Sequence, residues 1–155
     1  MDNPPTVMRE ALFAGGTHDE TSALPEEWRL ARAARLNVLV LGMPRVTPLL
    51  SDVEGAIENV LERILPDLQE PIVSWCPGSR LVLPPPAQVK TLILHEVGAL
   101  VFEDQKRLLD WLERADGRTQ VVSTCATSLL PLVYTGMFNA TLYYRLNTVC
   151  VDLNT

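Results

Sequence analysis

Short runs of consecutive apolar and β-branched residues, separated by stretches with helical periodicity, constrain the fold of this chain most. The runs are Asn37–Leu41 (NVLVL), Pro71–Trp75 (PIVSW), Thr91–Leu94 (TLIL), Thr119–Thr124 (TQVVST) and Thr148–Leu153 (TVCVDL). A strand that is covered on both faces has such a composition, because it cannot alternate apolar with polar residues. The pattern therefore predicts an α/β fold, with a parallel sheet flanked by helices on both faces.

Helical signals fill the spaces between these runs. Pro25 suits the first position of a helix, and Arg35 suits its C-terminal end. The next helix begins at Thr47-Pro48 or at the capping box Ser51–Glu54, and Pro66 ends it. The other predicted helices are Glu103–Ala115, Ser128–Val133 and Ala140–Leu146.

The helix predicted over Glu103–Ala115 has a clear apolar stripe, and Gly117 is expected to stop it. The residues expected to face inward are Leu108, Leu109, Trp111 and Leu112. Before this helix, Leu81–Leu83 could form a short strand. The three prolines at 84–86 exclude a central strand or a helix there and favour an extended connection.

Length and composition indicate one globular domain. The chain has 155 residues, with a mobile segment expected over 1–24 and a domain over 25–155. Thr6–Ala14 could form a short amphipathic helix within the first segment. Because the net charge is −6, we expect no direct contact with nucleic-acid phosphates.

The cysteines and the N-terminal sequence give the expected compartment. Cys76, Cys125 and Cys150 are odd in number and widely spaced, so we expect buried, reduced thiols and no zinc site or disulfide framework. The N-terminus lacks a secretory signal, and no apolar run approaches the about 20 residues of a membrane span. The sequence therefore predicts a cytoplasmic protein with no membrane contact.

Two motifs carry a family resemblance. TLILHEVGAL (Thr91–Leu100) and GMFNATLYYRLN (Gly136–Asn147) resemble the ATPase core of the sigma-54-dependent bacterial transcription activators, a branch of the AAA+ P-loop family. The resemblance implies a three-layer sheet of the P-loop NTPase type. The family's helical lid would follow the last strand, and its DNA-binding and receiver domains lie elsewhere, so we expect this chain to lack all three.

A phosphate loop, as the family would carry after its first strand, needs glycines, a Lys and a Ser or Thr. Gly42 matches its first glycine. Arg45 and Thr47 stand where other glycines belong, and Pro48 stands at the Lys. Pro44 and Pro48 also lack the N–H groups that would bind phosphate. Arg45 could still attract an anion, but we expect the usual cradle not to form.

The segment LILHEVG matches the strand that ends in Asp-Glu in the activators. His95 replaces the Asp that helps to hold Mg²⁺, and imidazole is a poor ligand for that ion. Glu96 matches the Glu that orients the attacking water. A His-Glu pair could coordinate zinc, but no third or fourth ligand is evident. We therefore expect neither ATP nor Mg²⁺ nor another metal to be a cofactor.

The remaining family positions give a mixed pattern. Ala126 stands where the resemblance implies a sensor Asn, and Asn139 replaces the first of two arginines that lie near the neighbouring subunit's nucleotide. Arg145 matches the second, an arginine finger, but we expect its role in this chain to be a surface salt bridge. We expect Leu142, Tyr143, Tyr144 and Leu146 to pack under the final strand. Residues 76–90 are too short to hold the inserted loop with which the family contacts the sigma factor.

Three hypotheses remain open from the sequence. The first is a non-catalytic, interaction or regulatory domain whose partner is a related AAA+ regulator or another copy of the chain. The second is a partner-dependent ATPase subunit, with Arg145 acting on a complete neighbour. The third is a phospho-acceptor domain, which would require an acidic cluster that Glu96 and Asp152 do not form. The degenerate phosphate loop favours the first.

Overall fold

The computed structural model describes residues 25–42 and 56–153. Both possible starts of the second helix, the phosphate-loop positions after Gly42 and the helix predicted at Thr6–Ala14 lie outside these ranges. In chain order the elements are α1 (Glu26–Ala34), β1 (Val38–Leu41), α2 (Ala56–Ile64), β2 (Ile72–Trp75), β3 (Thr91–Leu94), α3 (Phe102–Ala115), β4 (Gln120–Cys125), α4 (Leu130–Tyr134), α5 (Ala140–Leu146) and β5 (Val149–Asp152).

The five strands form one parallel sheet in the order β2-β3-β4-β1-β5. All five runs predicted as strands are strands, which confirms the α/β prediction. In the register, Leu41 pairs with Cys125 of β4 on one side and with Asp152 of β5 on the other. The carboxyl ends of the strands therefore meet at one edge, called the carboxyl edge below, and their starts meet at the opposite amino edge.

Apolar side chains on both faces of the sheet form two layers of core. One layer contains Leu39, Leu92, Leu108, Trp111, Phe138 and Leu142, from the sheet and from α3 and α5. The other contains Trp28, Val38, Val40, Ile64 and Val122, from the sheet and from α1 and α2. The central strands are buried along nearly their whole length because helices cover both faces of the sheet, whereas the edge strands β2 and β5 each have an exposed residue, Ser74 and Asp152.

Helix α3 is packed as predicted. Leu108 and Trp111 are fully buried, whereas Leu109 is only half-buried. The residue with left-handed backbone after the helix is Asp116 (φ 51°), one position before Gly117, which also has positive φ (77°). Helix α2 ends at Ile64, and Pro66 lies in the single 3-10 turn Leu65–Asp67 that follows.

The connection between β2 and β3 contains no α-helix. The predicted strand at Leu81–Leu83 was wrong: this stretch is irregular, although Leu81 is completely buried. Side chains bond the backbone on either side of it: the Trp111 indole N–H donates to the Pro84 carbonyl at 2.6 Å. Trp75 donates in the same way to the Ser79 carbonyl. Residues 76–90 thus form a strap across the α3 face of the sheet.

Two predictions about burial need correction. Leu142, Tyr143 and Leu146 are buried, but they pack with α3 and β4 and not under the final strand. Tyr144 is 67% exposed because it lies on the outer side of the short helix α5. Cys76 is exposed, since it opens a turn beyond β2, whereas Cys125 is buried and Cys150 partly so. Among the described residues, no helix is long and apolar enough to cross a membrane.

Candidate functional site

The carboxyl edge brings together four of the residues singled out in the sequence. Gly42 follows β1, His95 and Glu96 follow β3, and Ala126 follows β4. Ligands of open parallel sheets bind outside this edge, so it is the expected site of chemistry. Arg45 and Pro48, which complete the predicted set at this edge, lie outside the described residues.

Glu96 is tied to the neighbouring strand. Its backbone is left-handed (φ 48°, ψ 61°), a conformation that is uncommon outside glycine. Its own N–H donates to Thr124 Oγ1 at 3.0 Å, and its carboxylate oxygen Oε1 accepts from the Ala126 N–H at 3.3 Å. The carboxylate therefore spans the gap between β3 and β4 and closes the end of that strand pair.

Cys125 lies beside this carboxylate. Burial raises the pKa of the Cys125 thiol, and the negative charge of Glu96 raises it further. Backbone N–H groups of Thr127, Gly98 and Ala126 act in the opposite direction without cancelling the effect of burial. The thiol is therefore held in its neutral form, which is not the reactive form of a cysteine nucleophile.

Gly42 is held against the first described turn of α2. Its N–H donates to the Cys125 carbonyl at 3.0 Å. A Cβ at this position would lie 2.6 Å from Ile57 Cδ1, so any larger residue would force that side chain to move. The glycine that matches the family motif thus has a packing role in this chain, in which α2 approaches the end of β1.

His95 continues the β2–β3 ladder, with its N–H donating to the Trp75 carbonyl at 2.9 Å. The residue is partly buried. Over residues 25–42 and 56–153, no group of three or more His, Cys, Asp or Glu side chains is arranged to hold a metal ion. In the described part of the carboxyl edge, Glu96 and His95 are therefore not members of a metal-binding cluster.

Arg145 lies at the opposite, amino edge of the sheet. Its guanidinium pairs with Glu113 of α3 at 3.6 Å, so the predicted salt bridge is confirmed. Its carbonyl accepts from the Asn37 side chain, which immediately precedes β1. Because α5 runs antiparallel to the strands, its last turn cannot lie beside Glu96 in the same chain.

A cleft of about 200 Å³ opens beside Arg145 at the amino edge. Leu112 and Ala115 of α3 and the exposed Tyr144 contribute to its apolar lining, and Thr148 and Arg145 contribute polar groups. Sequence reasoning placed Arg145 at an interface but did not find this cleft. The lining residues are spread over three segments of the chain, so no local motif identifies it.

Two polar residues with several hydrogen bonds were also missed, the buried Gln105 and the half-buried Asn37. Gln105 Nε2 donates to the carbonyls of Leu100 and Met137, and its Oε1 accepts from the Asn139 N–H. Asn37 donates to Arg145 and accepts from the Val121 N–H. The available signal was an amide on the apolar stripe of α3, at the position three residues before Leu108. Such a residue is expected to have partners when it is buried.

Asn139, at the position of the family's first arginine, caps helix α5. Its Oδ1 accepts from the Leu142 N–H at 2.8 Å, which satisfies one of the free donors in the first turn. An arginine cannot accept this hydrogen bond, because its side chain carries only donors. The substitution therefore exchanges a cation for a helix cap.

Comparison with protein families gives one match. The model described as the sigma-54 interaction domain matches residues 77–155, from the strap to the end of the chain. This range contains His95, Glu96, Ala126 and Arg145, but not Gly42 and the positions that follow it. No curated protein matches the chain.

Solved structures of NtrX from Brucella abortus have a similar fold. One crystal structure superposes with a TM-score of 0.56 at 18% identity, and covers 81% of this chain. The complexes of that protein with ADP and with ATP superpose with TM-scores of 0.53 and 0.51, at 17% and 16% identity, and cover 82% and 84% of this chain. This chain spans about a third of the length of those structures (34%, 33% and 36%). The expected AAA+ P-loop type of sheet is thereby confirmed.

Proposed function

This chain belongs to the sigma-54 interaction domain family, and on that premise we propose that it is a non-catalytic AAA+-like domain. In this role it acts as a protein-interaction or regulatory module in bacterial transcription or signalling. Its partner is a related AAA+ regulator or a second copy of the chain. Neither ATP nor Mg²⁺ is a cofactor of the proposed function.

The hydrogen bond between Glu96 and the Ala126 N–H carries the proposal. A catalytic Glu must direct its carboxylate at an attacking water. Here the carboxylate is used to join β3 to β4, and the residue beside it is His95 in place of a metal-binding Asp. Both observations support a structural role for the Glu96 position.

The sequence of the phosphate-loop region supports the same proposal. The matched range begins at residue 77, beyond the first strand and the segment that follows it. In that segment, residues 42–50 read GMPRVTPLL, with no Lys and with prolines at two positions. Lost N–H donors and a lost ammonium group both weaken phosphate binding.

The strap at residues 76–90 supports a partner other than the family's usual one. In the activators, the loop that contacts the sigma factor is inserted in this part of the chain. Here Leu81 and Val89 are buried, and Pro84 is bonded to Trp111. Because this segment is packed into the core, we expect a partner to bind surfaces of the domain outside the strap.

Calorimetric titration with Mg·ATP tests the absence of nucleotide binding. We expect no binding heat up to about 1 mM, which corresponds to roughly −4.1 kcal/mol. A complete AAA+ domain of a sigma-54 activator, titrated in parallel, is the positive control. A dissociation constant in the micromolar range for this chain would refute the non-catalytic proposal.

The second candidate is a partner-dependent ATPase subunit. The position of Arg145 favours it: the side chain is 45% exposed and lies at the amino edge, away from the chain's own Glu96. From there it could reach a nucleotide only on a neighbouring subunit. In this case the chain supplies an arginine to a complete ATPase and binds no nucleotide itself.

Turnover measurements on mixtures distinguish the two candidates. The chain is added to a complete activator ATPase, and phosphate release is compared for wild type, Arg145→Ala, Glu96→Gln and the control Arg107→Ala. Stimulation by wild type that is lost only in Arg145→Ala assigns the second function. Under the first function, no variant differs from wild type in its effect on turnover.

A further inference from the structure

We propose that the amino-edge cleft beside Arg145 binds an acidic peptide segment of a partner protein, which inserts one apolar side chain between α3 and α5. The inference rests on the proposed interaction function and specifies the chemistry of its partner. It concerns the edge of the sheet opposite to the one that resembles a nucleotide site.

The size of the cleft fits an anchoring side chain. Pockets for small molecules usually enclose about 300–1,000 Å³, whereas this one encloses about 200 Å³. The buried part of its lining is mixed, since Leu112, Ala115 and Thr119 are 6%, 1% and 3% exposed, whereas Tyr144 is 67% exposed. An exposed aromatic ring next to buried apolar groups is typical of sites at which a partner buries one side chain.

The charge around the cleft favours an acidic occupant, although the chain as a whole is acidic. Among the described residues, five cations lie at or next to the strand starts that form the amino edge: Arg35, Lys90, Arg114, Arg118 and Arg145. Of these, Arg145 lines the cleft itself, while contacts to backbone carbonyls hold Arg35 and Arg118 at this edge. Carboxylates at the same edge include Glu113, Asp116 and Glu70, so the cations remain in excess. The local excess of positive charge steers an acidic segment toward the cleft.

Compensation of helix dipoles explains only part of this arrangement. Basic residues in the last turn are favourable because the carbonyl end of a helix is partly negative. The terminal carbonyls of α3 already accept hydrogen bonds from Arg118, and the Arg145 carbonyl accepts one from Asn37. The Arg145 guanidinium itself is directed at Glu113. A carboxylate of a partner must therefore take the place of Glu113.

Replacing Glu113 as the ion-pair partner of Arg145 costs little free energy. The Arg145–Glu113 pair is 3.6 Å long, and its side chains are 45% and 54% exposed. Exposed pairs of this kind contribute only about 0–1 kcal/mol. A carboxylate of a bound peptide can therefore replace Glu113 with little loss of free energy. Its ion pair with Arg145 is stronger because the neighbouring apolar contact excludes water.

Fluorescence anisotropy with the full chain tests the proposal. The probe is a labelled decapeptide of Asp and Glu with one central Leu, and the comparison peptides replace the Leu by Ser or every acidic residue by its amide. We expect saturable binding of the first peptide below about 1 mM, and at least about tenfold weaker binding of both others. Equal binding of the Leu and Ser peptides would overturn the anchoring role of the cleft.

Matched charge reversals locate the binding. Arg145 and Arg107 both pair with a carboxylate on α3, and their side chains are 45% and 46% exposed. We expect Arg145→Glu to weaken peptide binding about tenfold and Arg107→Glu to change it less than about twofold. Thr148→Trp, which fills the cleft without altering charge, should also weaken binding about tenfold. Equal effects of the two reversals, or no effect of Thr148→Trp, would overturn the proposal.

Two further results would assign the cleft to another occupant and overturn the proposal. Residues Asp19 and Glu20 precede α1 and could compete within the chain, so tighter peptide binding by Asp19→Asn/Glu20→Gln would indicate an internal occupant. A dimer in sedimentation that Arg145→Glu dissociates and Arg107→Glu does not would indicate a second copy. The nucleotide titration is independent: Mg·ATP binding would refute the non-catalytic function and leave the peptide result unaffected.

Discussion

Cys125 and Glu96 are two residues at the carboxyl edge that take part in the packing and hydrogen bonding of the fold. The Cys125 thiol is 4% exposed and lies next to the carboxylate that links β3 to β4. Burial and the nearby charge both oppose ionisation of the thiol. The two side chains are therefore compatible as neighbours while the thiol stays neutral.

We expect the free energy of unfolding to decrease at alkaline pH partly through Cys125. The thiol has a pKa of 9.0 in an unfolded chain and a higher pKa in the fold. The unfolded state therefore ionises first, and stability present below pH 9.0 is lost as pH rises through the folded pKa. Urea unfolding of wild type and Cys125→Ser between pH 7 and about 10.5 measures the difference.

Cys76→Ser is the matched control, because Cys76 is exposed and its replacement should leave the pH dependence as in wild type. Cys150 should contribute in the same direction as Cys125, since burial and the charges of Asp152 and Glu27 raise its pKa. A wild-type profile identical to that of Cys125→Ser above pH 9.0 would contradict the prediction.

Asn139 gives a second prediction at the level of a residue. Asn139→Ala and Asn139→Arg both remove the cap of α5, and each should lower the free energy of unfolding by about 0.5–2 kcal/mol. Asn139→Asp retains an acceptor oxygen and should remain near wild type. Thermal and urea melts of the three variants provide the measurement. If Asn139→Asp lowered the free energy of unfolding as much as Asn139→Ala, helix capping could not be the role of Asn139.

At the scale of elements, helix α3 connects most of the features described above. Its buried side supplies Leu108 and Trp111 to the core, its first turn holds Gln105 among three backbone groups, and its last turn forms a wall of the amino-edge cleft. Trp111 also fixes the strap through Pro84. Loss of packing in this helix should therefore affect both edges of the sheet.

Leu108→Ala should lower the free energy of unfolding by about 2–5 kcal/mol, because Leu108 is 0% exposed and its truncation leaves a cavity. Leu30→Ala is the matched control: Leu30 on α1 is 59% exposed, and its loss should cost less than about 0.5 kcal/mol. Urea melts of both variants check the pair, and a shift of under about 0.5 kcal/mol for Leu108→Ala would show that the core assignment is wrong.

The elements differ in how far the sequence predicts them. Apolar runs such as Thr91–Leu94 and the stripe of α3 were predictable, because burial determines their composition. The strap was not, because its carbonyls are satisfied by indole groups that are distant in sequence. The exposure of Tyr144 depends on where α5 packs, and the contacts of Gln105 and Asn37 depend on tertiary structure. Gly42, His95, Glu96 and Ala126 lie at strand ends as the order of apolar runs predicts, whereas the cleft, built from three segments, was not found.

At the scale of the whole molecule, the two edges of the sheet have different characters. The carboxyl edge brings Glu96 and Asp152 to the ends of β3 and β5, and the Glu96 carboxylate joins β3 to β4. At the amino edge Arg145 contributes to the lining of a cleft, and Arg118 and Lys90 precede the neighbouring strands β4 and β3. Under the proposed function, the sheet keeps the fold of its family and binds its partner at the amino edge.

The strap has a consequence for how this part of the chain can change during evolution. It leaves β2 through an exposed turn at Cys76–Ser79, where Gly78 has a φ of 91° and open space around its Cα. Lengthening an exposed loop is inexpensive, at about 0.6 kcal/mol for each doubling. Leu81 and Trp111 would still anchor the downstream residues. Gain or loss of an insertion at this turn is therefore nearly neutral for folding, so related chains can acquire or discard a contact loop without rebuilding the domain.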